Sequence, residues 1–143
     1  MRFMSLLAGI TLAACTPENG PLMRPGDDCL RCHGGSSGGG AEHRATPWSF
    51  AGTVYADASA AANAGIEGVD IQVNDANGFA FTVHSNLVGN FYSAESVAFP
   101  MTVCVSRNGA RPTCMEAAAP HGACNLCHAV PPLDGAEGRI FAP

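Results

Sequence analysis

Two pentapeptides in this chain carry the same chemistry. Cys29-Leu30-Arg31-Cys32-His33 and Cys124-Asn125-Leu126-Cys127-His128 both read C-x-x-C-H. Cysteines three positions apart lie about one helical turn from each other, so both thiols can reach one planar ligand. The histidine that follows turns its imidazole toward the same ligand. This is the attachment pattern of haem c, with two thioethers to the porphyrin vinyl groups and an imidazole on iron. In a chain of this composition chance supplies about 0.01 such motifs, so two copies are not accidental. Cys29, Cys32, Cys124 and Cys127 are therefore expected to hold two covalently bound haem c groups, with His33 and His128 as proximal iron ligands. Two other chemistries use the same residues. A thioredoxin-like dithiol needs a βαβ context, and none is visible. A zinc site joining both motifs would have to bridge about 90 residues.

The distal faces of the irons have several candidates. His43 follows His33 across the Gly-rich run Gly34 to Gly40 and could be presented to the far face of the first haem. His121 is too close to Cys124 to reach the far face of its own haem, but could serve the other one. Met115 offers a thioether to the second haem, against its ordinary use as an apolar filler. His84, on the polar side of a predicted strand, reads first as a surface histidine. A bis-His set lowers the potential and a Met/His set raises it. Trp48 and Phe50 are candidates to pack on the first haem.

Three cysteines remain. Cys104 and Cys114 enclose a short loop with Gly109 and Pro112, and are expected to form a structural disulfide. Cys15 ends the run Leu12-Ala13-Ala14-Cys15, after Arg2 and a largely apolar stretch too short to span a bilayer. That tetrapeptide resembles a bacterial lipobox, which implies a signal peptide over 1–14, lipidation at Cys15, and an exported, outer-membrane-anchored chain. The alternative is an ordinary signal peptide with an idle thiol. Export suits both haem attachment and disulfides.

The 143 residues suffice for one domain with arms, and the formal charge of −5 excludes a nucleic-acid binder, which needs a basic patch. Residues 15–28 read as a tether, 29–47 as the first haem segment and 107–143 as the second. Between them, over 48–106, the pattern is β. Val69, Ile71 and Val73 alternate with polar residues, Asn77-Gly78 signals a hairpin, and Phe79, Phe81 and Val83 give the return strand. Short strands at Phe50–Tyr55, Asn90–Tyr92 and Pro100–Ser106 complete the set. The expected fold is mainly β, a small antiparallel sandwich flanked by two partly helical haem segments. Its expected core is Phe50, Val54, Val69, Ile71, Val73, Phe79, Phe81, Phe91, Val103 and Val105.

Gly52-Thr53-Val54-Tyr55, Gly68-Val69 with Ile71 and Val73, Asp75-Ala76-Asn77-Gly78, and Ser85-Asn86 with Gly89-Asn90-Phe91 resemble the carboxypeptidase regulatory-like, or transthyretin-like, β-sandwich over roughly residues 50–105. That family is a scaffold and partner-binding module, and the resemblance implies no catalytic residue. Flanked by two C-x-x-C-H motifs and ending in Gly138-Arg139-Ile140, the chain is similar to small exported bacterial dihaem c-type cytochromes. The resemblance implies an electron carrier between envelope redox proteins or extracellular acceptors rather than an enzyme. A subunit of a polymeric cytochrome assembly is one alternative. A haem peroxidase or sensor with one open iron is another, disfavoured because no acid–base constellation is evident.

Overall fold

The computed structural model describes residue 20, residues 22–34 and residues 47–142. The expected signal peptide, Cys15 and His43 lie outside the described residues. The motifs form single helical turns, α1 (Leu30–His33) and α2 (Cys124–Cys127). Seven strands form two sheets: β1 (Phe50–Tyr55), β2 (Val69–Asn74), β3 (Ala80–His84), β4 (Asn90–Ser93), β5 (Thr102–Arg107), β6 (Thr113–Cys114) and β7 (Ile140–Phe141). One sheet runs β4-β1-β7 and the other β3-β2-β5-β6.

Alternation builds the core. In β2 the side chains of Val69, Ile71 and Val73 are buried, while Asp70, Gln72 and Asn74 face outward, as period two requires. They meet Phe50 and Val54 from β1, Phe91 from β4 and Val105 from β5, with Met101 and Ala142 closing the cluster. All six residues of β1 are buried, because one face meets the opposing sheet and the other is covered by α2 and the first arm.

The β2–β3 hairpin is made by Asp75 and Asn77-Gly78. Asp75 Oδ1 accepts from the backbone N–H groups of Asn77 and Phe79, both at 2.8 Å, and Oδ2 accepts from Ala98 N–H at 3.0 Å. Those N–H groups, Ala98's foremost, hold the Asp75 carboxyl below its ordinary value. Cys104 and Cys114 sit directly opposite each other on β5 and β6 and are joined by a disulfide.

Three points differ from the sequence expectations. Phe79 precedes β3 and is 47% exposed, its ring resting against Phe81 rather than in the core. Phe81 and Val103 are only partly buried, packed against the cluster. Strands β6 and β7 were not foreseen. Two residues are too few to show a period, and β7 is fixed by parallel pairing to β1, Val54 opposite Ile140 and Tyr55 opposite Phe141.

Candidate functional site

The second C-x-x-C-H turn and the segment that leads into the first meet over β1. The meeting point is built on Thr53 in mid-strand. Asn125, the second residue of the second motif, is 5% exposed and lies against it. Its Oδ1 accepts from Thr53 N–H at 2.9 Å, and its Nδ2 donates to Thr53 Oγ1 at 3.0 Å and to Asp27 O at 2.8 Å. Thr53 Oγ1 also accepts from Gly26 N–H at 2.9 Å and bonds Asn90 Oδ1 at 2.9 Å, while Asn90 Nδ2 donates to Met23 O. The arm that leads into Cys29 is thus tied to the same two side chains that seat α2.

Two glycines make the approach possible. A Cβ on Gly52 would come within 2.6 Å of Phe91 Cζ and 2.9 Å of Cys124 Cβ. A Cβ on Gly122 would come within 2.0 Å of Ser49 O. Ala51 N–H donates to Gly122 O at 2.9 Å, and Ala51 bridges Ala123 in parallel, so the segment before α2 runs along β1 like a short added strand.

Cys29, Cys124 and Cys127 are free thiols. Burial, with Asp28 next, pushes the Cys29 thiol up to about 11. Burial, reinforced by nearby Cys29, pushes Cys124 up to about 12. Burial and a contact with Asp134 raise Cys127 as well. These are the reverse of the depressed values that make a thiolate nucleophile or a ready zinc ligand. Cys32 is disulfide-bonded.

The two motif histidines are held in different ways. His128 Nδ1 lies 2.8 Å from Gly138 O. A ring that donates Nδ1–H to a carbonyl keeps Nε2 as the free lone pair, the usual arrangement of a metal-ligating histidine. The His33 ring stacks on Trp48, centroids 3.7 Å apart and planes within 6°. Around the second motif Leu126, Val130 and Leu133 are 43%, 58% and 50% exposed, an apolar margin open to solvent. Leu133 N–H bonds back to Cys127 O at 2.9 Å, which holds that margin beside the motif.

The candidate distal ligands fall apart from one another. His84 Nδ1 is 2.8 Å from Asp70 Oδ1 on the exposed face of the four-stranded sheet. Met115 directly follows β6, its N–H bonded to Val103 O at 3.0 Å. His121 accepts from Ala123 N–H through Nδ1 at 3.3 Å, three residues before α2. Trp48 does lie against the first motif, but Phe50 is fully buried in the core. Among the described residues no group of three His, Cys, Asp or Glu side chains is arranged to hold a metal ion. No helix among the described residues is long and apolar enough to cross a membrane.

Sequence reasoning missed the clamp of Thr53, Asn90 and Asn125. Its one signal is that a short buried amide occupies a free position between two motif cysteines. Arg139, noted in the sequence only through the Gly138-Arg139-Ile140 ending, binds the C-terminal strand to the body. Its Nε donates to Ala60 O at 2.7 Å, and its guanidinium lies 4.6 Å from the centre of the Tyr55 ring. Compared with protein-family models, curated proteins and solved structures, the chain matches none.

Proposed function

We propose that this protein is a dihaem c-type cytochrome that carries single electrons and catalyses no reaction of its own. One observation carries the reading. Asn125 of the second C-x-x-C-H turn is bonded to Asp27 O, two residues before Cys29 of the first, so motifs 95 positions apart in sequence converge near one strand. A structural role alone gives no reason for two identical turns, each with a histidine, to be brought together. The site fits the group in two further respects. His128 Nδ1 lies 2.8 Å from Gly138 O, and a ring that donates Nδ1–H there carries its lone pair on Nε2, the atom that would bind iron. The exposed Leu126, Val130 and Leu133 supply an apolar margin for a porphyrin face, which is costly to leave in water.

Cys29 and Cys32 would hold the first haem with His33, and Cys124 and Cys127 the second with His128. The bound groups supply a one-electron Fe(III)/Fe(II) couple. The chain's part is to fix the imidazoles, to set the spacing of the two sites through the Thr53–Asn125 clamp, and to limit water around them. Attachment at the first motif requires Cys32 as a thiol, so its disulfide has to be open during maturation. The remaining elements of the reading are export and lipid anchoring through Cys15 to the outer membrane, with envelope redox proteins or extracellular acceptors as partners.

The test is intact mass and a pyridine haemochrome spectrum on protein from a host that matures haem c. The expected result is a mass gain of two haems with a c-type α band. A chain that emerges without haem, and with Cys32 still in its disulfide on a non-reducing peptide map, would refute the reading.

A further inference from the structure

Each sheet of the sandwich has two edges, and three of the four edges are blunted. Strands β6 and β7 are two residues long, too short to template another strand. Strand β4 is closed where it begins: Asn86 N–H donates to Asn90 O at 2.9 Å, and Asn86 Oδ1 accepts from Asn90 N–H at 3.0 Å. The fourth edge, β3, is left open. Among the described strands it is hydrogen-bonded to β2 alone.

The register shows which groups that edge offers. Ser85 N–H donates to Val69 O at 3.0 Å and Asp75 N–H donates to Phe79 O at 2.9 Å, and the pairing between these two points runs without a bulge. Phe79, Phe81, Val83 and Ser85 therefore turn their backbone groups toward β2. Ala80, Thr82 and His84 turn theirs away from it, because the two sets alternate along an antiparallel strand. The side chains of those three residues are exposed. The strand has no proline, no bulge and no charge from Ala80 to Val83, so it lacks the devices that keep edges apart. Its one ionisable side chain, His84, is drawn back onto β2, Nδ1 lying 2.8 Å from Asp70 Oδ1.

The partner that fits this edge is the same edge on a second copy. Laid antiparallel about a two-fold axis through Thr82, Thr82 faces Thr82 and Ala80 faces His84, so all three outward residues form hydrogen-bonded pairs. A slip of two residues keeps only two of those pairs. Phe81 then lies opposite Val83 of the second copy in the closer, non-hydrogen-bonded kind of pair, and the axis repeats this aromatic with β-branched match. Phe79 is 47% exposed, its ring 5.6 Å from that of Phe81 on the same side of the strand. It falls diagonal to the same Val83 of the second copy, so an aromatic ring left in water by one copy gains an apolar neighbour from the other. We propose that β3 is a homodimerisation edge, which joins two copies through Ala80–His84 into one continuous eight-stranded sheet. The assembly closes at two copies, because pairing consumes both open edges and the remaining edges are blunted.

The test is sedimentation equilibrium of the full chain over a concentration series, with amide hydrogen exchange on the same samples. The expected result is a monomer–dimer equilibrium in which the Ala80, Thr82 and His84 amides gain protection as concentration rises, while those of Phe81 and Val83, already bonded to β2, do not. Residue 82 meets its own copy across the axis. Thr82→Lys and Thr82→Glu each bring like charges together and are each expected to weaken the dimer severalfold, while an equimolar mixture of the two variants restores it. Both substitutions sit on an exposed position, so the monomer's melting temperature is expected to stay near that of the parent. A chain that is monomeric at every concentration overturns the proposal, whether or not the three edge amides are protected. So does a dimer that both Thr82 variants leave intact, because the copies then meet elsewhere, for example at Leu126, Val130 and Leu133. Failure of the mixture to restore a dimer that each variant weakens overturns the two-fold register. None of these readouts depends on haem, so the proposal and the dihaem reading fail separately.

Discussion

Asn125→Ala removes the side chain that holds the second motif to β1 and links it to the segment leading into the first. Three hydrogen bonds disappear, to Thr53 N–H at 2.9 Å, Thr53 Oγ1 at 3.0 Å and Asp27 O at 2.8 Å. The Thr53 amide suffers most. It lies in a fully buried strand and has Asn125 Oδ1 as its acceptor, so the truncation leaves it facing a small cavity. An orphaned buried donor costs about 1–3 kcal/mol, and the remaining bonds contribute about 1 kcal/mol together after exchange with water, for a loss of about 2–4 kcal/mol. In a domain of this size that corresponds to a melting temperature lower by about 10 °C or more. Asn125→Asp is a sharper probe because it keeps the shape and the acceptor for Thr53 N–H. It points a carboxylate oxygen at Asp27 O, where the amide had donated. The new carboxyl has its pKa raised in the folded state by burial and by that carbonyl. Its destabilisation is therefore full above the folded pKa and is relieved as pH falls through it, when the acid O–H can donate to Asp27 O. Thermal melts of both variants across the acid range, with hydrogen exchange read at the Thr53 amide, test this. A loss below about 1 kcal/mol in Asn125→Ala with Thr53 still protected, or an Asn125→Asp variant that weakens further in acid relative to the parent, would refute the reasoning.

Gly52→Ala should destabilise the protein by about 1–3 kcal/mol in urea titrations and loosen the second motif first, because the new methyl meets Phe91 and Cys124 Cβ. Replacing Cys104 and Cys114 together by serine should lower stability by about 3 kcal/mol, measured as a shift of the urea midpoint at constant slope, from the loop the disulfide closes. Asp75 has a depressed folded pKa, so its contribution is present above the ordinary carboxylate value and is lost as pH falls through the folded one. Asp75→Asn should therefore be less stable than the parent at neutral pH, with the gap between their melting temperatures closing below about pH 3.9.

Much of this molecule is legible in its sequence, for reasons that differ from part to part. Strand β2 is readable because one face is buried and the other is wet, and the hairpin after it because Asn77-Gly78 demands a turn. The cysteine pair at 104 and 114 is readable from its short spacing. Phe79 misleads because alternation reports which side of a strand a residue is on, not where the strand starts. Strands β6 and β7 escape because two residues carry no period and are held by their neighbours. At the site, the motif spacing names the cysteines and histidines. The Thr53–Asn90–Asn125 clamp is invisible in sequence because polar residues 35 or more positions apart become partners only after the sheets assemble.

The pairing of β7 beside β1 has a consequence for the order in which the chain is completed. The first strand of the three-stranded sheet lies near residue 50 and its last near residue 141, so that sheet cannot close until almost the whole chain has been made. The four-stranded sheet, built from residues 69–114, can assemble earlier from more local contacts. Until β7 pairs, α2 can already be seated on β1 through Asn125, but the His128 ring lacks its Gly138 O partner. Closure of β7 then brings Arg139 onto Tyr55 and Gly138 O onto His128. The last strand to form is thus also the latch that fixes the ring of the second motif.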